Sequence, residues 1–355
     1  MAHLLPGRTP DSAPTPCQED CGRYFRSDRT GTLRSILRGR PAVQFVVTGG
    51  AGFIGSHLAA ELLHLGRVTV VDDLSTGTLA NLRHLPQQDL QLRRGSVTDP
   101  AFLRRACEGA DCVFHLAAIA SVQKSLADPV RCHEVNTTGT LHVLAAARDA
   151  GVKKVIFASS AAVYGNAATP PVDEDLCPAP LTPYAAAKVA GEHLCAAFTA
   201  SYGIDTAVLR FFNVYGPRQD PAAEYSAVIP RFIIRALSGN PPVIYGDGSQ
   251  TRDFVYVGDV VRATILALQR DAVGVFNIGS GNATRISDLA RWAVEAAGSG
   301  GEPVSEPARP GDILHSVASI SRAAKALGYR PRWTLAQGLA ETAAWYRTHP
   351  PSSTA

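Results

Sequence analysis

The stretch that decides the fold is Thr48-Gly49-Gly50-Ala51-Gly52-Phe53-Ile54-Gly55-Ser56-His57-Leu58. It continues the apolar run Val43–Thr48 and opens a segment with helical spacing of apolar residues, Gly55–Leu65. Its glycine spacing satisfies both G-x-G-x-x-G and G-x-x-G-x-x-G. Such a strand-to-helix turn lets bare backbone and a helix N-terminus approach a pyrophosphate. The stretch therefore predicts a dinucleotide-binding unit; the alternative is a turn of the same shape that binds no nucleotide.

Short apolar runs recur outward from this unit, with helical patterns such as Asn136–Ala150 and Tyr184–Tyr202 between them. Strands that alternate with helices indicate βαβ units, and near-continuous apolar strands indicate a parallel sheet covered on both faces. The predicted fold class is therefore α/β, with a doubly wound parallel sheet of the Rossmann type. The further runs expected to form strands are Val68–Val71, Cys112–Leu116, Val155–Ser159, Ala207–Phe212 and Val275–Ile278.

Composition divides the chain into parts. Residues 1–41 are rich in Pro, Ser, Thr, Gly and Arg, which predicts a mobile extension with at most a helical turn around Leu33–Leu37. An arm that binds a partner or an anion is the alternative. From Gly216 onward Pro and Gly interrupt the apolar pattern, which indicates a smaller C-terminal α/β substrate lobe. The expected division is a basic extension (1–41), a nucleotide-binding domain (42–215, to which 253–278 return), a substrate lobe (216–252 and 279–348) and a tail (349–355).

Charge and composition exclude several classes of protein. With 46% hydrophobic residues in 355, the chain can bury a large core and is not disordered as a whole. The formal net charge of +3 comes from residues 1–41, which carry seven arginines and four acidic residues, so a basic nucleic-acid-binding body is disfavoured. No apolar stretch is long enough to span a membrane, and a cytoplasmic location is expected.

Cysteine spacing argues against a disulfide framework and against a metal site. The seven cysteines are few and scattered for a chain of this length. Cys17 and Cys21 have the spacing C-x-x-x-C but lack a second Cys or His pair nearby, so no zinc site is predicted.

Asp72 ends the strand that follows the glycine turn, 22 residues after Gly50. A carboxylate at this position hydrogen-bonds the 2′-hydroxyl of an adenine ribose and repels a 2′-phosphate. Asp73, not an arginine, follows it, and Arg67 lies at the other end of the strand. The pattern therefore predicts NAD rather than NADP.

Three polar residues suggest proton transfer at the same site. Tyr184 and Lys188 are four residues apart in a helical segment and therefore share a face, and Ser160 follows the predicted strand Val155–Ser159. A tyrosine has a pKa near ~10, which a neighbouring ammonium and a cationic nicotinamide would lower. Ser160 could hydrogen-bond the substrate hydroxyl that loses its proton. The motif Y-x-x-x-K is weak alone and gains weight from the glycine turn and the serine.

Together these residues resemble the extended short-chain dehydrogenases/reductases, and among them the NAD-dependent sugar-nucleotide epimerases of the UDP-glucose and UDP-N-acetylglucosamine 4-epimerase type. The resemblance covers roughly residues 43–348. The matching blocks are Thr48–Leu58, Val71–Gly77, His115–Ala118, Ser159–Gly165, Tyr184–Lys188, Arg210–Pro221 and Gly246–Phe254.

The resemblance implies a tightly bound NAD that is regenerated in each turnover, with Tyr184 as base, Lys188 and Ser160 as its catalytic partners, and a transient 4-keto sugar. Asn136 matches a residue that supports the cofactor site; a helix N-cap is the alternative. The implied cofactor-binding residues are Gly49, Gly50, Gly52, Phe53, Ile54, Gly55, Asp72, Asp73, Ser75, Thr76, Gly77, Ser96, Val97, Leu116, Ala117, Ala118, Asn136, Tyr184, Lys188 and Phe212.

For the substrate, the resemblance implies a UDP-linked sugar, with Arg252 and Arg309 on the diphosphate; surface arginines paired to Asp253 or Asp312 are the alternative. Tyr245 could stack on the nucleobase or belong to the lobe core. The implied substrate-binding residues are Ser160, Asn213, Val228, Tyr245, Arg252, Arg309, Asp312 and Ser316.

A few positions separate the reactions within this family. Ala161 and Ala162 stand where similar 4,6-dehydratases carry an Asp-Glu pair and UDP-glucuronate decarboxylases a Glu, so elimination and decarboxylation lose their acid and base. Ser316 replaces a tyrosine that restricts some epimerases, which leaves room for a 2-acetamido group. Ser96 stands where relatives have an aspartate on the adenine.

Different functions remain open on the sequence alone. Lys124, next to Gln123, could recognise a uronate carboxylate, which keeps UDP-glucuronate 4-epimerisation as an alternative to a solvated loop lysine. A nucleotide-sugar 4-ketoreductase and a non-catalytic NAD-sensing regulatory protein also fit the same motifs. The resemblance further implies a homodimer formed through the helices Asn136–Ala150 and Tyr184–Tyr202.

Overall fold

The computed structural model describes residues 43–167, 169–221, 228–308 and 314–350. The extension 1–41, with the helical turn expected around Leu33–Leu37, lies outside the described residues, and so do Cys17 and Cys21. The predicted substrate residues Arg309 and Asp312 also lie outside them.

Strands alternate with helices through the first two thirds of the described chain. The strands are β1 (Gln44–Thr48), β2 (Arg67–Asp72), β3 (Leu90–Arg94), β4 (Cys112–His115), β5 (Lys154–Ser160), β6 (Asp205–Phe211), β7 (Asn213–Tyr215), β8 (Val243–Tyr245), β9 (Thr251–Arg252), β10 (Phe254–Tyr256), β11 (Gly274–Ile278), β12 (Thr284–Arg285), β13 (Val304–Glu306) and β14 (His315–Ser316).

The α-helices of the described residues are joined by shorter helical turns, 3₁₀ at Leu79–Asn81 and Ala161–Tyr164 and π at Glu134–Thr138. None of the helices in these parts of the chain is long and apolar enough to cross a membrane. The helices are α1 (Phe53–Leu62), α2 (Pro100–Ala106), α3 (Val122–Ala127), α4 (Pro129–His133), α5 (Gly139–Asp149), α6 (Pro183–Tyr202), α7 (Val228–Leu237), α8 (Val257–Gln269), α9 (Ile286–Ala297), α10 (Ser321–Leu327) and α11 (Leu335–Thr348).

A seven-stranded sheet in the order β11-β6-β5-β4-β1-β2-β3 forms the larger body of the described chain. Every neighbouring pair in it is parallel. The chain moves outward from β1 to β3 on one side and then crosses to β4 on the other. Open sheets of this kind bind ligands at the carboxyl ends of the strands where the order reverses, here between β1 and β4. The predicted doubly wound α/β fold is confirmed.

The sheet is buried on both faces, which explains the unbroken apolar runs of its central strands. On one face Val47, Val70 and Phe114 pack with α1 and α8, and on the other Val46 and Val113 pack with α5 and α6. Since successive residues of a strand point to opposite faces, each strand serves both clusters.

The edge strand β3 is absent from the sequence-based expectation. Its sequence, Leu-Gln-Leu-Arg-Arg, buries only Leu90 fully and exposes Gln91 and Arg94. An edge strand has one neighbour and less cover, so its apolar pattern is short and mixed with charge.

A smaller lobe packs around its own apolar cluster, which includes Tyr215, Phe232, Leu289 and Leu339. It contains α7, α9 and α11, the parallel pair β8–β13 and the three-stranded sheet β12-β9-β14. Within the expected lobe range 279–348, however, α10 is an exception. Its Ala323 and Leu327 are buried in the core cluster of the larger body.

Candidate active site

The glycine turn between β1 and α1 is tightly packed against backbone. Gly49 has φ +70°, and a Cβ there would lie 2.7 Å from the Ala117 nitrogen; a Cβ on Gly55 would lie 2.1 Å from the Gly49 oxygen. No larger residue fits either position without moving the backbone. Gly52 is the N-cap of α1 and offers no side-chain cap, so the first amides of this helix face the turn. The bare, concave backbone fits the pyrophosphate of a dinucleotide.

Asp72, the last residue of β2, joins the glycine turn to the next loop. Its Oδ2 accepts the Ala51 N–H at 2.9 Å, and its Oδ1 accepts the Leu74 N–H at 2.8 Å. Burial raises the pKa of Asp72, and the two amide hydrogen bonds oppose that shift. A carboxylate has further lone pairs, so the group can still accept a ribose hydroxyl. The carboxylate thus stands at the position from which the sequence predicted NAD recognition.

Replacing Asp72 by Asn is expected to weaken NAD binding by about 10- to 100-fold, because hydrogen bonds to a charged group contribute about 1.5–3 kcal/mol. Calorimetric titration of NAD into protein stripped of nucleotide measures this change. Asp99→Asn is the matched control, since Asp99 also accepts a backbone amide, that of Phe102, at the start of α2, and is not among the predicted cofactor residues. Equal affinity in Asp72→Asn and the control would contradict the predicted role.

The segment after β4 lies across the glycine turn and is held by Asn136. The Asn136 Oδ1 accepts the Ile119 N–H at 2.8 Å, and its Nδ2 donates to the Ile119 oxygen at 3.0 Å. Asn136 is in the π turn between α4 and α5, and the helical segment begins at Pro129. The alternative of a helix N-cap is therefore wrong, as is the helix start expected at Asn136. A π turn widens the helix locally and is frequent at functional sites.

Tyr184, Lys188 and Ser160 come together, as their spacing predicted. Tyr184 lies in the first turn of α6 and shares a hydrogen bond with Ser160 at the end of β5. The Lys188 Nζ donates to the Ala158 oxygen at 2.8 Å and lies 5.9 Å from the centre of the Tyr184 ring. It also lies 4.9 Å from the centre of the Phe157 ring. A phenol, a hydroxyl and an amine thus meet at the carboxyl edge of the sheet.

Burial perturbs both titratable groups of this trio. It lowers the pKa of Lys188 to about 8. It raises the pKa of Tyr184, and the hydrogen bond with Ser160 opposes this shift. A phenolate at Tyr184 therefore needs positive charge beside it, which Lys188 can supply in its protonated form. Perturbed pKa values in a cleft are typical of catalytic groups.

A cavity of about 190 Å³ opens beside Ser160. Ala161 and Ala162 form part of its wall, and they offer no acid or base. The lobe contributes Arg252 and Ser316, which are register partners on neighbouring strands. The full lining is Ser160, Ala161, Ala162, Tyr164, Gly165, Ala167, Val172, Phe211, Phe212, Asn213, Arg252, His315 and Ser316.

Several predicted substrate and cofactor residues do not line this cavity. Tyr245 is half-buried in β8, Val228 is the first residue of α7, and Lys124 is exposed on α3. The Ser96 hydroxyl shares a hydrogen bond with Thr98 at 2.9 Å. Their roles remain predictions.

Arg252 is placed by β9 at the cavity and donates to the Thr251 oxygen at 2.9 Å. The alternative partner, Asp253, is engaged elsewhere. Its carboxylate accepts hydrogen bonds from Ser280, Gly281 and the Ala318 amide. Asp253 therefore braces the loop after β11 against the segment that follows β14.

Sequence reasoning missed three groups that shape the site. His315 lines the cavity, His115 is buried at the end of β4, and Glu192 of the catalytic helix forms a buried ion pair with Arg210 of β6. Glu192 lies one helical turn after Lys188, and a charge on that buried face was the available signal. Among the described residues no group of His, Cys, Asp and Glu side chains is arranged to hold a metal ion.

Comparison with known proteins identifies the family to which this chain belongs. The model of the family described as NAD dependent epimerase/dehydratase matches residues 45–279. The chain belongs to this family. The match spans the seven-stranded sheet from the second residue of β1 to the end of β11.

The proteins similar to this chain include one relative compared by sequence and two compared by their solved structures. A UDP-glucose 4-epimerase of Mycolicibacterium smegmatis is 40% identical over 307 residues, 85% of this chain and 98% of that protein. The UDP-N-acetylglucosamine 4-epimerase of Methanobrevibacter ruminantium, solved with UDP-N-acetylmuramic acid, has TM-score 0.84 at 40% identity and covers 87% of this chain and 100% of its own. The UDP-glucose 4-epimerase of Thermotoga maritima, solved with UDP-glucose, has a TM-score of 0.82 at 39% identity. The alignment covers 86% of this chain and 99% of the solved chain.

Proposed function

We propose that this chain is an NAD-dependent 4-epimerase of a UDP-hexose. The observation that carries the proposal is the grouping of Tyr184, Ser160 and Lys188 at the same carboxyl edge of the sheet as the glycine turn, with alanines at 161 and 162. The similarity to UDP-glucose and UDP-N-acetylglucosamine 4-epimerases supports it.

In the proposed reaction the side chains of this protein handle the proton. When bound, NAD supplies reversible hydride transfer at C4 of the sugar. Tyr184 takes the proton of the 4-hydroxyl and returns it at the end of the cycle. Ser160 hydrogen-bonds the same oxygen, and the Lys188 ammonium stabilises negative charge on the phenol. Gly49 and Gly55 would let the backbone lie close to the cofactor, and Asp72 would hydrogen-bond its ribose.

The small side chain of Ser316 leaves room for either a hydroxyl or an acetamido group at C2 of the sugar. Arg252 suits a diphosphate, because the N–H groups of a guanidinium donate two parallel hydrogen bonds to a pair of phosphate oxygens. Ser316 lies on the same wall and occupies little volume. The proposal therefore includes UDP-glucose/UDP-galactose and UDP-N-acetylglucosamine/UDP-N-acetylgalactosamine interconversion.

Product analysis tests the proposal directly. The purified protein is incubated with UDP-glucose, UDP-N-acetylglucosamine and UDP-glucuronate in parallel, and the 4-epimers are separated by chromatography. We expect an equilibrium mixture of epimers from at least one of the first two, with no net change in absorbance at 340 nm. Stoichiometric consumption of NADH would instead identify a 4-ketoreductase, and no product from any sugar would revive the NAD-sensing alternative.

Removing the Arg252 side chain is expected to raise the KM for the UDP-sugar by about 10- to 100-fold, since a charged hydrogen bond contributes about 1.5–3 kcal/mol. Steady-state kinetics of Arg252→Ala measure it. Arg285→Ala serves as a control, because Arg285 pairs with the same strand from the exposed side of the lobe. A KM unchanged in both variants would remove Arg252 from the substrate site.

We also propose that the protein forms a homodimer through the helices α5 and α6. Three large apolar side chains are exposed on this side of the body, Leu126, Val130 and Leu141. Val130 is 78% exposed, and contact with a second copy of the protein would remove this apolar surface from water. The proposal includes a cytoplasmic location, where buried thiols such as Cys107 and Cys195 stay reduced.

Deletion of residues 1–41 is expected to leave kcat and KM within about twofold of the full chain. The predicted catalytic, cofactor and substrate residues all lie between Gly49 and Ser316. Kinetics of the two proteins side by side provide the measurement. A larger loss would show that the extension reaches the site.

A further inference from the structure

His115 stands in a continuous buried chain of hydrogen bonds behind the glycine turn. Its Nδ1 lies 2.7 Å from the Thr48 hydroxyl, and its Nε2 lies 2.9 Å from the Thr140 hydroxyl. The three side chains are at most 1% exposed. Thr48 and His115 are register partners at the ends of β1 and β4, where the sheet order reverses. No step of the proposed reaction uses this imidazole.

The hydrogen bond from Thr140 to Asn136 determines which atoms donate in the two hydrogen bonds of His115. The Thr140 hydroxyl donates to the Asn136 oxygen at 2.6 Å, so toward His115 its oxygen can only accept. The Nε2 atom of His115 therefore carries the hydrogen. In a neutral ring Nδ1 is then an acceptor, and the Thr48 hydroxyl donates to it. The Thr48 oxygen in turn accepts the Ala117 N–H at 3.3 Å.

Both ends of this series of hydrogen bonds reach the segment 116–119. At one end Ala117 is tied to Thr48 and packs against Gly49, where even a Cβ would be too close. At the other end Asn136 holds Ile119 by two hydrogen bonds. The hydrogen bonds thus connect the glycine turn with the π turn.

We propose that His115 is a positioning residue that, as the Nε2–H tautomer between Thr48 and Thr140, fixes the segment 116–119 and Asn136 against the glycine turn. The proposal rests on the proposed function in that this segment is the floor of the dinucleotide site. Burial lowers the pKa of His115 to about 3, which agrees with a ring that stays neutral. The centre of its ring lies 5.6 Å from that of Phe157, whose ring also faces the Lys188 Nζ, and this contact extends the support to the catalytic helix.

The tautomer is tested by nitrogen NMR of protein labelled at its ten histidines, with His115→Gln to assign the signal. We expect an Nε2–H ring whose shifts do not change between pH 5 and 9. An Nδ1–H ring, or protonation within that range, would overturn the proposal. This measurement needs neither substrate nor turnover.

The positioning role is tested by Thr140→Val, which keeps the volume of the side chain and removes its hydroxyl. Thr264→Val is the matched control, because Thr264 is equally buried and makes the same bond to the carbonyl four residues earlier, in α8. We expect Thr140→Val to speed amide hydrogen exchange in 116–119 at least about tenfold and to lower kcat about five- to tenfold with KM within twofold. We expect Thr264→Val to change neither the exchange nor kcat by more than about twofold.

The outcomes separate this proposal from the proposed function. If Thr140→Val matches Thr264→Val in amide exchange, His115 does not position the segment, whatever the activity. If the wild-type protein makes no epimer, the proposed function fails, while amide exchange and the tautomer still decide the role of His115.

Discussion

Replacing Tyr184 by phenylalanine is expected to lower kcat for epimerisation by about 10²- to 10⁴-fold, the usual contribution of a positioned general base. The ring stays, so the packing of α6 against the sheet is retained. Only the hydroxyl that bonds Ser160 is lost. The loss should fall on kcat, because the proton is transferred in the transition state and the ring still fills its place in the ground state.

The measurement is initial-rate epimerisation with the fold checked by circular dichroism. Tyr202→Phe is the matched control on the same helix, since Tyr202 is exposed at the far end of α6. Near wild-type turnover in Tyr184→Phe would rule out Tyr184 as the base. Ser160→Ala should lose less, because Ser160 assists the proton transfer and does not accept the proton.

Replacing Glu192 by alanine is expected to lower the free energy of unfolding by about 3–5 kcal/mol, the usual cost of leaving a buried charge without its partner. Two hydrogen bonds join Glu192 to Arg210, at 2.9 and 2.6 Å, and the Ser159 hydroxyl donates to the same carboxylate at 2.5 Å. Both charged side chains are almost fully buried, at 7% and 4% exposure. The Arg210 guanidinium also stacks 4.7 Å from the Tyr164 ring.

Denaturant unfolding of Glu192→Ala measures this loss. Asp288→Ala is the comparison, because Asp288 and Arg291 form an ion pair on the exposed face of α9, where such pairs contribute about 0–1 kcal/mol. Glu192→Gln should recover part of the loss by keeping the acceptor. A cost below about 1 kcal/mol for Glu192→Ala would mean that Arg210 finds water or another partner.

Much of the fold was predictable because the central strands are buried on both faces. Runs such as Val155–Ser159 and Ala207–Phe212 stand out when helices cover the sheet from both sides. The glycine turn was predictable for a different reason, since backbone contact at Gly49 and Gly55 permits no other residue. In contrast, β3 and the two-residue strands of the lobe have little apolar pattern, because pairing with distant segments forms them.

The candidate site divides in the same way. Tyr184 and Lys188 are close in sequence and share one helix, so spacing alone brought them together. His115 and His315 hydrogen-bond to groups 25 to 67 residues away, namely Thr48, Thr140 and Thr251. A side chain whose partners come from other strands shows no local signal, and only the folded sheet reveals its role.

The lobe described above has no continuous stretch of chain from which to form. Its cluster combines Tyr215, α7, α9 and α11, and between these segments the chain passes through α8, β11 and α10 of the larger body. During synthesis, which proceeds from the N-terminus, the sheet can form long before α11 leaves the ribosome. The wall that carries Arg252 and Ser316 is therefore completed last. A nascent chain can acquire a dinucleotide site well before it acquires a place for the sugar, so premature termination within the last turns would yield a cofactor-binding but inactive protein.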